Sequence, residues 1–511
     1  MLLCGASSLM GSLDCPKYWD MSDLIIEPID SVYIKVKCER SYAKELSDFF
    51  TFKVPGHTFM PTFRNKMWDG QIKLYNIYKQ EIYAGLEDYV VQFAKDRSYS
   101  VEKSEQPKTN SITPDEVVEF AKALNIPYKL HEHQIEGICH SINNDRCLLL
   151  SPTGSGKSLI IYTLIRYYLN KIDANKKILI IVPTISLVTQ MYSDFFEYSK
   201  SSPWKLRNYC HKIHGGQEKE TDKQIVISTW QSIYKMSAEF FKDFHVVIGD
   251  ECHQFKSKSL TTIMTKLKEC PYRIGTTGTL DGTFTHKLVI EGLFGRVHRV
   301  TSTKELMDQD LLSKLSIDCV VLGYPQEVRK DCKKFSYAEE LDWLVQNEKR
   351  NEFISNLTIS LKGNTLVLFQ FVEKHGKVLY DMLTKMDKKK IFFVHGGTEA
   401  DDREIIRKIM EKESNAVIVA SYGTFSTGIS IKRLHNIVFS SPSKSRIRVL
   451  QSIGRQLRKS EFKDKAKLYD IADDLSWKSY KNHTLRHFVE RLKIYEHEKF
   501  DYRKLIIQLE E

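Results

Sequence analysis

Residues 151–158, with the sequence SPTGSGKS, constrain the fold and chemistry of this chain more than any other stretch. The apolar run 147–150 before them predicts a buried strand, and the apolar run 159–165 after them predicts a helix. Glycine lets backbone N–H groups approach an anion, and the N-terminus of a helix adds positive potential. A strand, a glycine-rich turn and a helix in this order therefore predict a phosphate-binding loop in an α/β domain.

The side chains of this loop suit a nucleotide with a bound magnesium ion. We expect Lys157 to reach the β- and γ-phosphates and the Ser158 hydroxyl to ligate Mg²⁺. The strict pattern has glycine where this chain has Ser151, so an ordinary Gly/Ser turn is the alternative. The flanking strand and helix favour the phosphate loop. The predicted nucleotide contacts in it are Thr153, Gly154, Ser155, Gly156, Lys157 and Ser158.

A second candidate site follows the apolar run 246–249, which ends on Asp250 and Glu251. An acidic pair at the carboxyl end of a buried strand is the usual position of a magnesium ligand in an open α/β sheet. We expect Asp250 to hold Mg²⁺ and Glu251 to orient and deprotonate an attacking water. A strand that simply ends in solvated acids is the alternative, and the phosphate loop upstream disfavours it.

Two further features are weaker when each is taken alone. Arg455 and Arg458 lie three residues apart on a predicted helix and hence on one face, where they could stabilise charge developing on a γ-phosphate. A solvated basic helix face is the alternative. Gln134, upstream of the phosphate loop, could read the edge of an adenine, whereas a solvated glutamine at a helix start is the default.

Composition and pattern set the wider organisation of the chain. A chain of 511 residues is long enough for about three or four domains. The net charge of +11 suits a polyanionic partner, and no apolar run approaches the ~18 residues of a membrane helix. The predicted segments are a leader outside any domain at 1–20, a small α+β domain at 21–104, α/β domains at 113–305 and 312–477, and a helical segment at 478–511.

The first of these domains contains a basic stretch with interleaved aromatic residues. Residues 53–79 hold five basic residues and one acid, a balance of +4. We expect Arg64, Lys66 and Lys73 to contact phosphates and Trp68 to stack on a base or to act as a wedge. The composition equally fits a β-hairpin whose aromatic residues form its core.

Taken in order, these motifs resemble those of superfamily-2 helicases of the DExH form. The resemblance rests on Gln134, 151–158, Pro183-Thr184, 250–253, 277–279, 421–424 with 427–430, and 451–458. It implies two RecA-like parallel-sheet domains that close over ATP and Mg²⁺ and track along one strand of DNA. It adds Gly428 to the nucleotide contacts, a coupling role for His253, Thr277, Thr279 and Gln451, and nucleic-acid contacts for Pro183, Thr184, Thr229 and Thr424.

Residues 63–70 and the overall size are further similar to the UvsW family of phage recombination helicases. This similarity implies an ATP-dependent DNA helicase of the cytoplasm that migrates Holliday junctions, regresses forks and unwinds R-loops and D-loops. Its partners would be branched duplex DNA, single strands and RNA–DNA hybrids. The alternatives are an RNA helicase, the motor subunit of a restriction-type complex, and a non-catalytic nucleotide-gated module, which the intact Lys157, Glu251 and Arg458 disfavour.

Overall fold

The computed structural model describes residues 22–104, 111–280, 283–426, 431, 433–442, 445–457 and 465–509. The predicted leader at 1–20 lies outside the described residues. The chain divides into two compact units, which meet in sequence between Pro107 and Lys108. In the described residues, no helix is long and apolar enough to cross a membrane.

The N-terminal unit combines a mixed sheet with three helices. Its strands are β1 (Leu24–Pro28), β2 (Tyr33–Cys38), β3 (Thr51–Lys53), β4 (Gln71–Lys73), β5 (Glu81–Tyr83) and β6 (Val101–Lys103). Its helices are α1 (Arg40–Phe49), α2 (Pro61–Arg64) and α3 (Glu87–Asp96), with 3₁₀ turns at His57–Phe59 and Ala84–Leu86. The main sheet has the order β5-β2-β1-β6, and β3 and β4 form a separate antiparallel pair. Ile34 and Val36 alternate with more exposed residues on β2, which places them in the core.

The second unit begins with an α/β domain whose sheet is entirely parallel. The strands are β7 (Arg146–Leu150), β8 (Lys177–Val182), β9 (Cys210–Ile213), β10 (Ile225–Thr229), β11 (Phe244–Gly249), β12 (Tyr272–Thr277) and β13 (Val297–Arg299). The helices are α4 (Pro114–Ala123), α5 (Glu132–Asn144), α6 (Lys157–Leu169), α7 (Ile185–Tyr198), α8 (Leu206–Tyr209), α9 (Trp230–Ile233), α10 (Ala238–Phe241), α11 (Lys258–Lys266), α12 (Phe284–Phe294) and α13 (Thr303–Asp308), with a 3₁₀ turn at Cys252–Gln254. The strand order is β13-β7-β12-β11-β8-β10-β9. Parallel pairing brings the carboxyl ends of β7, β11 and β12 to one edge, where ligands bind in such sheets.

A second parallel sheet of seven strands follows in the same unit. Its strands are β14 (Lys314–Gly323), β15 (Thr365–Phe369), β16 (Ile391–Val394), β17 (Val417–Ser421), β18 (Asn436–Phe439), β19 (Lys465–Asp474) and β20 (Tyr502–Gln508). The helices are α14 (Gln326–Cys332), α15 (Tyr337–Gln346), α16 (Glu348–Ser360), α17 (Lys377–Lys385), α18 (Ala400–Lys412), α19 (Tyr422–Ser426), α20 (Arg446–Gln456) and α21 (His483–His497), with a π-helical turn at Val372–Gly376. The strand order is β16-β17-β15-β18-β19-β14-β20. Two parallel sheets and a small mixed N-terminal unit confirm the predicted fold class.

The C-terminal segment differs from its prediction. Residues 478–511 were expected to be helical, but α21 is followed by strand β20, which pairs in parallel with β14 and extends the second sheet. Leu505 and Ile507 pack against the core of this sheet. The strand forms because β14 offers an open edge to a segment rich in β-branched and aromatic residues.

The two α/β cores meet in sequence close to the predicted boundary. Val300 packs in the core of the first sheet, whereas Leu306 and Leu312 pack in the core of the second. The change of core therefore falls between Val300 and Leu306, and helix α13 begins just before the predicted end of the first α/β domain at residue 305.

Candidate nucleotide site and nucleic-acid surfaces

The phosphate loop connects β7 to α6 at the carboxyl edge of the first sheet. Gly154 and Gly156 have φ angles of +90° and +82°, which residues with a β-carbon rarely adopt. The Ser151 and Ser155 hydroxyls are hydrogen-bonded at 2.6 Å, and the Ser151 amide donates to the Thr277 carbonyl at 2.9 Å. Ser151, which stands where the strict pattern has glycine, therefore stabilises the loop by hydrogen bonds to Ser155 and Thr277.

Lys157, the first residue of α6, directs its ammonium group into the loop. Its Nζ donates to the carbonyl oxygens of Ser151 at 3.1 Å and Pro152 at 3.3 Å. The ammonium thus lies among backbone acceptors that a phosphate would replace. Lys157 and Ser158 both line a cavity of about 470 Å³.

Asp250 lies opposite the loop in the same cavity and is buried. Its Oδ1 accepts hydrogen bonds from the Thr276 hydroxyl and from the Glu251 amide, both at 2.9 Å. Burial and the neighbouring charge of Glu251 raise the pKa of Asp250 to about 6, although the Lys157 charge opposes this. A desolvated carboxylate in the same cavity as Ser158 fits a divalent cation that phosphate oxygens would also hold. Among the described residues, no group of three or more His, Cys, Asp or Glu side chains forms a metal site by itself.

Glu251 links the acidic pair to the end of β12. Its φ of +53° is unusual for a residue with a side chain and fixes the carboxylate at a sharp turn. Glu251 Oε2 lies 3.4 Å from His253 Nδ1, which lies 3.2 Å from Thr277 Oγ1. The Thr277 hydroxyl donates to the Thr279 carbonyl at 3.0 Å. Since that bond uses the hydroxyl proton, His253 Nδ1 must be the donor towards Thr277.

The Gln134 amide bridges the start of its own helix, α5, and the phosphate loop. Its Nε2 donates to the Ser155 carbonyl at 3.0 Å, and its Oε1 accepts from the His131 amide at 2.9 Å. The neighbouring His133 also bonds to the Ser155 carbonyl, at 2.9 Å, although the sequence patterns did not single it out. Adenine recognition by Gln134 stays a prediction, and the observed contacts support the loop.

The second sheet contributes helix α20 and a leucine to the same cleft. Gln451 on α20 lines the cavity that contains Lys157 and Asp250. A β-carbon on Gly454 would lie 2.8 Å from Thr153 Cβ, so the two backbones are in close approach. Leu312 also packs closely on the phosphate loop. A β-carbon on Gly154 would lie only 2.8 Å from Leu312 Cδ2.

Three of the predicted site residues cannot be placed by their side chains. Arg455 follows Gly454 on α20, where the structure describes only its backbone. Arg458 and Gly428 lie outside the described residues. Their predicted contacts with the nucleotide stay predictions.

The predicted nucleic-acid contacts of the two sheets lie at strand ends. Pro183 and Thr184 follow β8, and Thr229 ends the neighbouring β10. The Thr184 hydroxyl caps α7 by accepting from the Leu187 amide at 3.3 Å. The buried Thr229 hydroxyl is bonded to a serine hydroxyl at 2.9 Å, and the Thr424 hydroxyl is likewise bonded at 2.8 Å. In this structure, the Thr184, Thr229 and Thr424 hydroxyls therefore make hydrogen bonds within the protein that stabilise the strand ends.

The basic-aromatic stretch of the N-terminal unit, residues 53–79, runs from the end of β3 through β4 towards β5. Met67 is 77% exposed, so it is not core of the hairpin. Trp68 is half-buried, and its indole N–H donates to the Gln71 carbonyl at 2.8 Å. Arg64 and Lys66 are exposed, whereas the exposed Lys73 pairs with Asp69 at 3.2 Å. Arg64, Lys66, Met67 and Trp68 line one open surface cavity of about 810 Å³.

Three known families match parts of the chain. The family described as type III restriction enzyme, res subunit, matches residues 127–282, and the helicase conserved C-terminal domain matches residues 348–460. The family described as DNA helicase UvsW, N-terminal, matches residues 23–103.

Individual relatives extend the match to nearly the whole chain. The ATP-dependent DNA helicase uvsW of Enterobacteria phage T4 is 34% identical over 94% of this chain and 98% of its own length. The crystal structure of T4 UvsW aligns with a TM-score of 0.50 at 32% identity, covering 96% of this chain and 100% of that one. The type ISP restriction-modification enzyme LlaBIII bound to DNA aligns with a TM-score of 0.55 at 15% identity, covering 75% of this chain and 31% of that one. The last likeness shows the fold alone.

Proposed function

The chain belongs to the UvsW family of ATP-dependent DNA helicases within superfamily 2, and from this premise we propose that it remodels branched DNA. The proposed reactions are branch migration of Holliday junctions, fork regression and the unwinding of R-loops and D-loops. The substrates would be branched duplexes, single strands and RNA–DNA hybrids. The predicted resemblance to superfamily-2 helicases is confirmed by the near full-length match to uvsW.

One observation supports ATP-driven motion above all others. Helix α20 of the second sheet reaches the phosphate loop of the first, with Gln451 in the cavity of Lys157 and Gly454 against Thr153. A nucleotide in this cleft would contact both sheets, so its hydrolysis would change the way in which they pack. This is the coupling that a translocating motor requires.

We propose that the residues of the cleft divide the chemistry among them. Lys157 would bind the β- and γ-phosphates, and Glu251 would accept a proton from the attacking water. Ser158 and Asp250 would hold magnesium, which when bound neutralises charge on the phosphates. The contact of Glu251 with His253 would pass a change at the carboxylate to Thr277 at the end of β12. Arg455 and Arg458 are the proposed cations on the γ-phosphate.

The preference for branched DNA is proposed to come from the N-terminal unit. Its basic-aromatic stretch, residues 53–79, has exposed cations and an exposed apolar side chain, Met67, that the fold of the unit does not bury. Such a surface suits phosphate contact together with insertion at a junction. The ATP-binding residues lie in the other unit, so branch recognition and hydrolysis are separable.

The decisive experiment compares ATP hydrolysis on several nucleic acids. We expect single-stranded DNA and four-way junctions to stimulate the ATPase strongly and RNA to stimulate it weakly. The strands of a four-way junction should separate only when ATP is hydrolysed. Stimulation by RNA in excess of DNA would instead support an RNA helicase.

A matched pair of double variants tests the role of the N-terminal unit. We expect Arg64→Ala/Lys66→Ala to weaken binding to four-way junctions and to reduce the slope of log K against log salt by about 1.8, at about 0.9 for each duplex phosphate contact. ATPase on single-stranded DNA should stay unchanged. Arg40→Ala/Lys44→Ala, which removes two exposed cations of the same unit from α1, is the control. Equal junction binding by the two double variants would contradict the assignment.

A further inference from the structure

A cavity of about 320 Å³ lies beside the nucleotide cleft, between the two parallel sheets of the second unit. From the first sheet it is lined by the ends of β7, β12 and β13, and from the second by α20 and the end of α21. We name it the Thr279–Arg299 cavity, after two of the residues that line it. Its volume lies at the lower end of the range for sites that bind small ligands.

One buried hydroxyl in this cavity has no hydrogen-bond partner among the described residues. It is that of Thr279, which is only 8% exposed. The hydroxyl of Thr301, which lines the same cavity, is already used, because it donates to Glu305 at 3.0 Å. Buried polar groups in folded proteins are almost always hydrogen-bonded, so the Thr279 hydroxyl indicates a place for a polar ligand atom.

Gly278 stands between this cavity and the Lys157 ammonium. It lines the cavity, and a β-carbon built on it would lie 3.7 Å from Lys157 Nζ and 3.5 Å from the Thr153 amide nitrogen. Lys157 lines the nucleotide cleft, and Thr153 lines both spaces. Because Gly278 has no side chain, it leaves room between the ammonium and the cavity.

The other end of the cavity is exposed and carries both signs of charge. Arg299 is exposed there, and the side chain of His497 is 55% exposed. Among the described residues that line the cavity, the one acid is Glu498, whose Oε1 lies 3.3 Å from His497 Nδ1. The charge of Arg299 attracts an anion, whereas the charge of Glu498 opposes tight binding. Such a lining suits an anion that passes through the cavity and leaves.

Helix α20 separates the cavity from the nucleotide cleft. Leu450 and Gly454, four residues apart and hence on one face, line the cavity, whereas Gln451 lines the cleft. Gly454 is also packed closely against Thr153 of the phosphate loop. In the proposed function, hydrolysis leaves inorganic phosphate beside Lys157 while ADP still lies on the loop. ADP and α20 then obstruct the path by which ATP entered, so the phosphate requires a second exit.

We propose that the Thr279–Arg299 cavity is the route by which inorganic phosphate leaves the cleft while ADP is still bound. The phosphate would pass Gly278, accept a hydrogen bond from the Thr279 hydroxyl and leave beside Arg299. This inference rests on the proposed function, because it requires ATP hydrolysis at Lys157. It gives Gly278 and Arg299 a part in the ATPase cycle that the predicted site residues did not include.

The variant Gly278→Ala tests the route by narrowing it. A methyl group there makes only ordinary contacts, at 3.5 Å or more, so the variant should keep the wild-type melting temperature. Hydrolysis is measured by chemical quench and free phosphate by a fluorescent phosphate sensor, on the full chain with single-stranded DNA. We expect hydrolysis within about twofold of wild type and phosphate release about tenfold slower, so that release limits turnover.

The control for this variant is Gly396→Ala, because a β-carbon on Gly396 meets no atom within 4 Å. It should match wild type in both measurements. Phosphate release from Gly278→Ala at the wild-type rate would overturn the proposal. A loss of hydrolysis as large as the loss of release would also overturn it, because the methyl group would then act on the chemical step.

Arg299→Gln tests the outer end of the route with inorganic phosphate as the probe. If Arg299 contacts the departing phosphate, the phosphate concentration that halves the ATPase should rise about fivefold in this variant, as expected for an exposed charge. Arg296→Gln removes an exposed arginine that does not line the cavity, and it should match wild type. Equal inhibition of the two variants by phosphate would contradict the assignment of Arg299.

The same measurements separate product phosphate from phosphate that enters from solution. If Arg299→Gln resists inhibition but Gly278→Ala releases its product normally, the cavity takes phosphate from solution only and the proposed exit is wrong. Failure of DNA to stimulate ATP hydrolysis by wild type would instead refute the proposed function. The two failures are therefore distinguishable.

Discussion

At the scale of single residues, Asp250 is the group in which stability and activity oppose each other. Its pKa of about 6, against 3.8 for an exposed aspartate, means that the ionised carboxylate is held at a cost. We expect Asp250→Asn to abolish ATP hydrolysis and to raise the melting temperature of the ligand-free protein at pH 8. The gain in the free energy of unfolding should be at most about 3 kcal/mol, from 1.36 kcal/mol for each pKa unit.

The pH dependence of the stability gained by Asp250→Asn identifies ionisation of Asp250 as its cause. Because the folded pKa lies above the unfolded one, ionisation of Asp250 lowers stability as the pH rises from about 4 to 6, and the full cost is present above 6. The gain should therefore be present at pH 8 and absent at pH 4 in thermal unfolding. Asparagine retains an acceptor for the Thr276 hydroxyl and the Glu251 amide. Asp194→Asn, a second acid of the same cavity, is the control, and a lower melting temperature for Asp250→Asn at pH 8 would contradict the explanation.

At the scale of elements, the last strand tests how the second sheet is completed. In β20, Leu505 packs against the core while the adjacent Ile506 is 75% exposed. We expect Leu505→Asp to lower the free energy of unfolding by about 2 kcal/mol, because a partly buried apolar side chain becomes a charge. Ile506→Asp should change it by less than about 0.5 kcal/mol. Equal losses in denaturant unfolding would indicate that this segment does not alternate as a strand.

A buried parallel strand is recognisable in the sequence when its residues are apolar throughout, and it is not when the strand contains buried charges. The run 178–182 is apolar throughout, as expected of a parallel strand buried on both faces, and β8 occupies it. Strand β19 contains Asp470 and Asp473, which break such a run. Their partners, Arg491 and Arg350, are distant in sequence, and each ion pair is buried with an N–O distance of 2.8 Å. In the sequence alone, Asp470 and Asp473 therefore look like solvent-facing residues, because nothing nearby in sequence indicates their arginine partners.

The same limit applies to the candidate site. Glycine spacing and an acidic pair at a strand end are local patterns, and each predicts a contact with Mg²⁺, through Ser158 and Asp250. The two residues line one cavity. The hydrogen bonds of Gln134 and His133 to the Ser155 carbonyl depend on how α5 packs beside the loop. A local sequence pattern does not indicate how α5 packs beside the loop. The role of Gln134 could therefore not be predicted from the sequence alone.

At the scale of the whole molecule, the closed cleft depends on one glycine of α20. A β-carbon on Gly454 would overlap Thr153 Cβ, at 2.8 Å, while the sheets are packed as observed. Alanine within a helix is otherwise more favourable than glycine by about 1 kcal/mol. We expect Gly454→Ala to retain or raise the melting temperature and yet to lower kcat for ATP at least tenfold, since the cleft cannot close on the loop.

A rescue experiment shows whether the contact across the cleft is the cause. Thr153→Gly removes the atom that the new methyl group would meet, so Thr153→Gly/Gly454→Ala should recover part of the ATPase that Gly454→Ala loses. A coupling free energy above about 1 kcal/mol in this double-mutant cycle would identify direct contact. Gly396→Ala is the control, because a β-carbon there meets no atom within 4 Å. If Gly454→Ala hydrolyses ATP at the wild-type rate, the observed packing of α20 on the loop is not the state in which hydrolysis occurs.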